Sequence, residues 1–330
     1  MAKLHSQTSF VCRVAVPVPL YRTFDYLAPD GVGIDQFKPG IRLEVPFGKN
    51  QKTGVLIECV AESGIDLAKL KLITRIIDTE PLLSRLDLAL LHWASWYYHH
   101  PLGEVIGTAF PAALRQGKPA LVDSPAYYVL TEQGLQADVS LLKRSPKQAQ
   151  LISIFQQQVG HVLSEDELAL WDKTWRSVVK PLLVKKLLEL SRQPAVEKSL
   201  LNQAELMCNA HQQAAIDLVC DNLDRFSVFL LEGVTGSGKT EVYMQIIRAV
   251  LERGQQVLLL LPEITLTPQL EERFRKRYAV PISISHSKLT DNQRQASWLQ
   301  IQSGQSSILL GTRSALFTPL KNPGLIILDE

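Results

Sequence analysis

The sequence predicts a multidomain protein: a small β-rich domain over residues 1–115, a winged-helix module over 116–200 and an α/β P-loop lobe over 201–330. Three observations carry this reading. The run Gly233–Thr240, GVTGSGKT, fits the phosphate-binding pattern G-x-x-x-x-G-K-[ST] at every fixed position. From Phe226 onward, short apolar runs alternate with stretches of helical periodicity, the pattern of a parallel sheet covered by crossover helices. Residues 1–80 alternate instead in short β-rich runs separated by Pro and Gly.

In the first domain, Val11–Val18 reads as a strand that meets Pro17 and Pro19, and Ile41–Val45, Thr53–Val60 and Leu70–Ile77 follow as further short strands. GKNQK, Gly48–Lys52, is a hairpin connection, so a small curled sheet or barrel is expected. Leu82–His99 reads as an amphipathic helix in which Leu86, Leu90, Trp93 and Tyr97 recur at helical spacing, and such a stripe is expected to face the core. Arg115–Pro125 has the Gly, Pro and polar content of a linker. Beyond it come a short strand at Tyr127–Val129, helices at Pro146–Gln158, Ser164–Leu170 and Thr174–Lys186, and a strand-like LLEL. Three short helices followed by a strand suit a winged helix, with a plain helical adaptor as the alternative. In the third region strands are expected at Phe226–Leu231, Val257–Leu261, Ile282–Ser285, Ser307–Leu310 and Leu325–Leu328. Helices are expected at Lys239–Leu251, Pro268–Tyr278 and Asp291–Gln302.

A chain of 330 residues with 46% hydrophobic and 21% charged residues has the composition of a soluble globular protein, and its length suits two or three domains. The start, MAKLHSQTSF, has no apolar h-region and the longest aliphatic runs are strand-sized, so neither a signal peptide nor a membrane span is expected and the location is cytoplasmic. A net charge of +2 leaves nucleic-acid binding open, since a near-neutral total can hide a basic groove. Cys12, Cys59, Cys208 and Cys220 form no C-x-x-C pair, and no zinc site is expected among them.

The chemistry concentrates around the phosphate loop. Gly233, Val234, Thr235, Gly236, Ser237 and Gly238 form a turn whose backbone N–H groups face a phosphate chain. Lys239 meets the β- and γ-phosphates and Thr240 holds Mg²⁺ at a helix N-terminus. Asp329 and Glu330 follow an apolar strand and read as a Walker B pair, with Asp329 on Mg²⁺ and the second acid near the attacking water. A natural domain seldom stops directly after such a strand, so the chain reads as a piece of something longer. Gln212, in a helix start upstream of the loop, can accept from and donate to an adenine edge at once. ATP and Mg²⁺ are therefore the expected cofactors. PEITLTPQ, Pro262–Gln269, and GTRSALFTP, Gly311–Pro319, follow two strands and offer Thr267, Thr312 and Arg313 to the phosphates of a single nucleic-acid strand.

GVTGSGKTEVY, LPEITLTPQ, SHSKLTDNQR and GTRSALFTP, with VPVPLYRTFDY and EVPFGK near the amino terminus, resemble the bacterial primosomal replication-restart helicases of superfamily 2 over essentially the whole chain. The resemblance implies a 3′-DNA-binding domain, a winged helix and the first RecA-like lobe of an ATP-dependent 3′-to-5′ DNA helicase that recognises stalled forks. Its implied partners are forked and single-stranded DNA, single-stranded DNA-binding protein and primosome proteins. It also places a pocket for a DNA 3′ end on Phe24, Asp25, Tyr26, Gly48 and Lys71. Read without the resemblance, TFDY is an ordinary strand with core aromatics and an exposed acid. The family's pattern continues past Glu330 with another acid and a histidine, a second lobe with its arginine finger, and zinc-binding cysteines. The 330 residues are therefore expected to bind DNA and nucleotide without unwinding. Two alternatives remain beside the helicase: a fork-end binding module whose P-loop domain is only a scaffold, and another superfamily 2 translocase.

Overall fold

The computed structural model describes residues 10–121, 127–137, 145–157, 161–191, 200–203, 206–234, 236–262 and 267–329. These fall into two compact units. Residues 1–122 and 203–330 form one, and Asp123–Asn202 form the other.

The amino-terminal part of the larger unit is a six-stranded sheet. It is built from β1 (Val11–Ala15), β2 (Phe24–Leu27), β3 (Arg42–Phe47), β4 (Asn50–Val60), β5 (Lys71–Leu72) and β6 (Arg75–Ile76), in the order β5-β2-β1-β4-β3-β6. The β3–β4 hairpin turns on Gly48–Lys49 alone, with Phe47 facing Asn50 in the ladder. Gly48 has φ +62, a conformation that side-chain-bearing residues resist. Residues 50–52, expected in the connection, belong to β4. The expected strand at Leu70–Ile77 is instead two two-residue strands on opposite edges of the sheet. Alternate residues Cys12, Val14, Tyr26, Leu43, Val45 and Leu56 share one apolar core. Cys12 and Cys59 face each other across β1 and β4, with their Sγ atoms 3.9 Å apart.

Helix α1 (Arg85–Tyr97) begins at a capping box in which Ser84 and Asp87 satisfy each other's backbone N–H. It buries Leu88, Leu91 and Ala94. The expected core stripe of Leu86, Leu90, Trp93 and Tyr97 is exposed, with Leu86 81% and Trp93 49% accessible. The helix is apolar on two faces, and the sheet takes the one with the smaller side chains. Helices α2 (Leu102–Thr108) and α3 (Ala112–Arg115) complete this part. The buried Arg42 clamps it by pairing with Asp78 at 2.7 Å and donating to the Leu114 carbonyl at 2.6 Å.

The smaller unit contains β7 (Tyr127–Leu130), α4 (Glu132–Leu135), α5 (Pro146–Gln157), β8 (Val162–Ser164), α6 (Glu165–Trp171), α7 (Trp175–Val184) and β9 (Leu188–Ser191). Its antiparallel sheet has the order β8-β7-β9, and Leu151, Phe155, Trp175 and Leu182 form its core.

The remainder of the larger unit comprises α8 (Ala210–Cys220), α9 (Lys239–Glu252), β10 (Gln256–Leu260), α10 (Pro268–Arg277), β11 (Ile282–Ser285), α11 (Asp291–Ser303), β12 (Ile308–Gly311) and β13 (Pro323–Leu328). Its parallel sheet has the order β11-β12-β10-β13. The central strands β10 and β12 are wholly buried, as their uninterrupted apolar sequences require. The expected strand at Phe226–Leu231 is not one. The segment forms no ladder, and Phe226, Val228 and Leu230 are more than 80% exposed. An apolar run becomes a strand only where a ladder accepts it, and the sheet ends at β13. Trp298 of α11 binds this lobe to the β-rich part: its Nε1 donates to the Ala109 carbonyl at 2.7 Å and its ring packs on Phe110. No helix among the described residues is long and apolar enough to cross a membrane.

Candidate nucleotide site and nucleic-acid face

The phosphate loop enters α9 through Gly238, whose φ of +84 is the left-handed cap. A Cβ there would lie 2.4 Å from Gln212 Nε2, the movable end of a side chain, so it is the conformation that calls for glycine. Gly236, at φ +81, makes the turn before it, and Ser237 N donates to the Val234 carbonyl at 3.1 Å. Lys239 folds back into the loop, donating to the carbonyls of Gly233 at 2.5 Å and Val234 at 3.4 Å. Those carbonyls hold the ammonium where a phosphate would compete for it.

Gln212 already uses both ends of its amide. Its Oε1 accepts from Asn209 N in a capping box, and its Nε2 donates to the Ser237 carbonyl at 2.9 Å. It therefore ties α8 to the phosphate loop, and one N–H and one oxygen lone pair of the amide remain for an adenine edge.

The two halves of the expected Mg²⁺ site converge on a residue the sequence reading missed. The Tyr243 hydroxyl donates to Asp329 Oδ2 at 3.0 Å and has Thr240 beside it. Burial pushes the Tyr243 phenol up to about 12, so it stays protonated at neutral pH. Asp329 follows β13, and its N–H donates to the Leu260 carbonyl at 3.0 Å, which extends the ladder to β10. Thr240 and Asp329 thus neighbour the same phenol, and a hydroxyl with a carboxylate is a donor set that suits Mg²⁺. The signal in the sequence was Tyr243's place three residues beyond Thr240, one helical turn on the same face. Thr235 and Glu330 lie outside the described residues.

Glu241, next to Thr240, is also buried. It accepts from Arg277 Nη2 at 2.5 Å, from Gln245 Nε2 at 3.0 Å and from Leu206 N at 3.3 Å. The far end of α10 is thereby tied to the helix that carries the phosphate loop. At its near end, Thr267 caps α10 by accepting from Leu270 N. Thr312 follows β12, is 8% exposed and donates its N–H to the Ser285 carbonyl, while Arg313 opens an exposed 3-10 turn. Because the strands are parallel, Thr267, Thr312, Arg313 and Asp329 all lie toward their carboxyl ends, the edge where ligands gather in open α/β sheets.

The residues of the expected 3′-end pocket are divided between the faces of β2. Phe24 packs edge-on against Phe47, with the Arg22 guanidinium 5.0 Å from its ring. Tyr26 is 4% exposed, lies in the core and donates to the Pro46 carbonyl. Asp25 points the other way, where Arg13 Nε at 3.3 Å and Ser63 Oγ at 2.7 Å hold its carboxylate. Lys71 pairs with Tyr26 in the β2–β5 ladder and extends its Nζ to the Gly48 carbonyl at 3.4 Å. The structure thus brings Lys71 and Gly48 together, and sets Asp25 apart from the two aromatics.

Comparison with known proteins matches residues 13–111 to the 3′DNA-binding domain (3′BD) of PriA and residues 209–330 to the DEAD/DEAH box helicase family. The replication restart protein PriA of Haemophilus influenzae is 40% identical over 97% of this chain and 44% of its own length. PriA of Synechocystis is 31% identical over 93% of the chain and 45% of its length, and PriA of Chlamydia pneumoniae 30% identical over 96% and 43%. The chain spans less than half the length of these relatives. Across the residues it has, from the amino-terminal 3′DNA-binding domain to the helicase lobe, the chain belongs to the PriA family of replication restart proteins.

Proposed function

We propose that this chain serves an ATP-dependent 3′-to-5′ DNA helicase that recognises stalled or abandoned replication forks and initiates restart. The observation that carries the reading is the hydrogen bond by which Tyr243, three residues beyond Thr240, reaches Asp329, in a lobe joined to a 3′DNA-binding domain. In this reading the Gly233–Gly238 backbone cradles ATP phosphates, Lys239 leaves its carbonyl cage to meet them, Thr240 and Asp329 hold Mg²⁺, and Glu330 orients water. When bound, the Mg²⁺ nucleotide supplies the phosphoanhydride whose cleavage drives movement. Gln212 reads adenine. Thr267, Thr312 and Arg313 hold strand phosphates, and Lys71, Gly48 and Phe24 meet the DNA 3′ end, while Asp25, on the other face of β2, reaches it only by leaving Arg13 and Ser63. Residues 116–200 act as a winged helix. Fork DNA, single-stranded DNA-binding protein and primosome proteins are the partners, and zinc belongs to parts of the relatives that this chain does not match. With its phosphate-loop approach exposed, the chain by itself binds DNA and nucleotide without unwinding.

The test is Lys239→Ala. Binding of a fluorescent ATP analogue to the chain should be lost and fork binding retained, and a full-length protein carrying the change should lose ATPase and unwinding. Unwinding that survives defeats the motor assignment.

A further inference from the structure

A second cationic feature lies away from the phosphate loop and the β2 pocket. Between the segment Thr108–Arg115 and the carboxyl ends of β11 and β12 is a cleft of about 390 Å³. It is lined by Arg115, His286, Arg294 and seven hydroxyl side chains, among them Ser287 and Thr312, and by no carboxylate. Its walls are fixed. Trp298 binds one wall through the Ala109 carbonyl, and Thr312 N joins the other to Ser285. Arg294 Nη2 donates to the carbonyls of Ser287 and Leu289 at 3.3 and 3.2 Å, with Asp291 3.8 Å from Nη1, and so shapes the loop that follows β11. His286 Nδ1 accepts from Lys288 N, which leaves the proton of the neutral ring on Nε2, the nitrogen free to donate. The Arg115 guanidinium has no partner among the described residues.

Donors from two directions and a lining without a carboxylate, Asp291 standing behind Arg294, describe a seat for an anion. The cleft also opens at the sheet edge where Thr312 and Arg313 lie. We propose that this cleft binds the sugar–phosphate backbone of a single DNA strand, with Arg115 as the cation that the amino-terminal domain contributes. A strand held there is gripped by both parts of the larger unit at once, which keeps a DNA end on the β-rich domain in register with the lobe. The inference rests on the reading of this lobe as DNA-binding.

Fluorescence anisotropy of the 330-residue chain with labelled oligothymidylate, over a series of salt concentrations, tests it. Arg115 is exposed, so Arg115→Ala should leave the thermal melt unchanged, weaken binding and make the slope of log K against log salt shallower by about 0.7, the value for one phosphate contact on a single strand. Arg115→Lys should restore the slope. Lys118→Ala, an exposed cation outside the cleft lining, should leave the slope unchanged. Unaltered affinity and slope in Arg115→Ala overturn the cleft and leave the DNA-binding reading standing, as does an equal loss in Lys118→Ala, which would mark a diffuse field. Failure of the unchanged chain to bind any oligonucleotide overturns both.

Discussion

Tyr243 joins α9, which carries the proposed phosphate loop, to Asp329, 86 residues away, through a single oxygen. Removing that oxygen in Tyr243→Phe leaves the ring in its packing and frees the Asp329 carboxylate to turn. The Mg²⁺ concentration that half-saturates nucleotide binding should then rise about fivefold, the equivalent of about 1 kcal/mol for one hydrogen bond. A titration with fluorescent nucleotide checks this, and an unchanged midpoint would reduce Tyr243 to packing. The same burial gives a pH dependence. Tyr243 and Tyr26 both titrate near about 12 in the folded chain, against about 10 when unfolded. The folded state prefers the protonated phenol, so this stabilisation is complete below about pH 10 and is lost as pH rises toward about 12. Melts followed by circular dichroism should show the loss in that window, and Tyr26→Phe should shrink it. The Arg42–Asp78 pair carries more weight because both groups are buried. Asp78→Ala strands the guanidinium and should cost about 3–5 kcal/mol in urea unfolding. Lys239, Thr240 and Asp329 could be proposed from the sequence because phosphate chemistry fixes residue type and spacing together. The long-range contacts of Tyr243 with Asp329 and of Glu241 with Arg277 were not legible, since those partners are 86 and 36 residues away and helical spacing from Thr240 marks only the face on which Tyr243 lies.

At the scale of elements, legibility followed local hydrogen-bonding logic. The start of α10 at Pro268 and a hairpin at Gly48 were expected and found, though the turn is shorter than expected and α1, expected from Leu82, starts at Arg85 where Ser84 caps it. Two expectations failed for one reason: periodicity reveals an apolar face without naming its partner. Helix α1 carries two such faces, and the larger side chains of Leu86, Trp93 and Tyr97 stay outside. Phe226–Leu231 has the sequence of a buried strand and no ladder to join. The pairing of Cys12 with Cys59 was hidden likewise, because register is a property of the sheet and not of either strand. Helix α11 supplies the prediction at this scale. Trp298 is 5% exposed, fills the space against Phe110 and donates to a main-chain carbonyl. Trp298→Ala should therefore cost about 3–5 kcal/mol by opening a cavity. Trp298→Phe keeps most of the apolar contact and loses the indole N–H, so about 1–3 kcal/mol is expected for the carbonyl left unpaired. Chemical denaturation of both variants separates the terms, and equal losses would mean that the hydrogen bond dominates.

For the whole molecule, the sequence divides the chain into three consecutive regions, whereas compactness gives two units, the smaller inserted in the sequence of the larger. The first and third regions merge because Trp298 and Leu299 of α11 enter the same core as Leu83, Leu91 and Leu114. Such sharing is invisible in composition. It has a thermodynamic consequence, since elements that share a core unfold together and units with separate cores need not. Leu151, Phe155, Trp175 and Leu182 close the core of the smaller unit among themselves. Differential scanning calorimetry should accordingly resolve two transitions. The one for Asp123–Asn202 should carry an enthalpy on the order of 50–60 kcal/mol, at about 0.7 kcal/mol per residue near 60 °C. Variants assign the transitions: Trp175→Ala should lower only that transition, by several degrees or to the point of losing it, and Trp298→Ala should lower only the other. If the β-rich part and the lobe are one cooperative body, Asp78→Ala and Trp298→Ala must shift the same transition although they lie in different sequence regions. A third transition that answers to Asp78→Ala alone would show that the two parts fold separately, and would take from the Trp298 contact its role of holding a DNA end in register with the lobe.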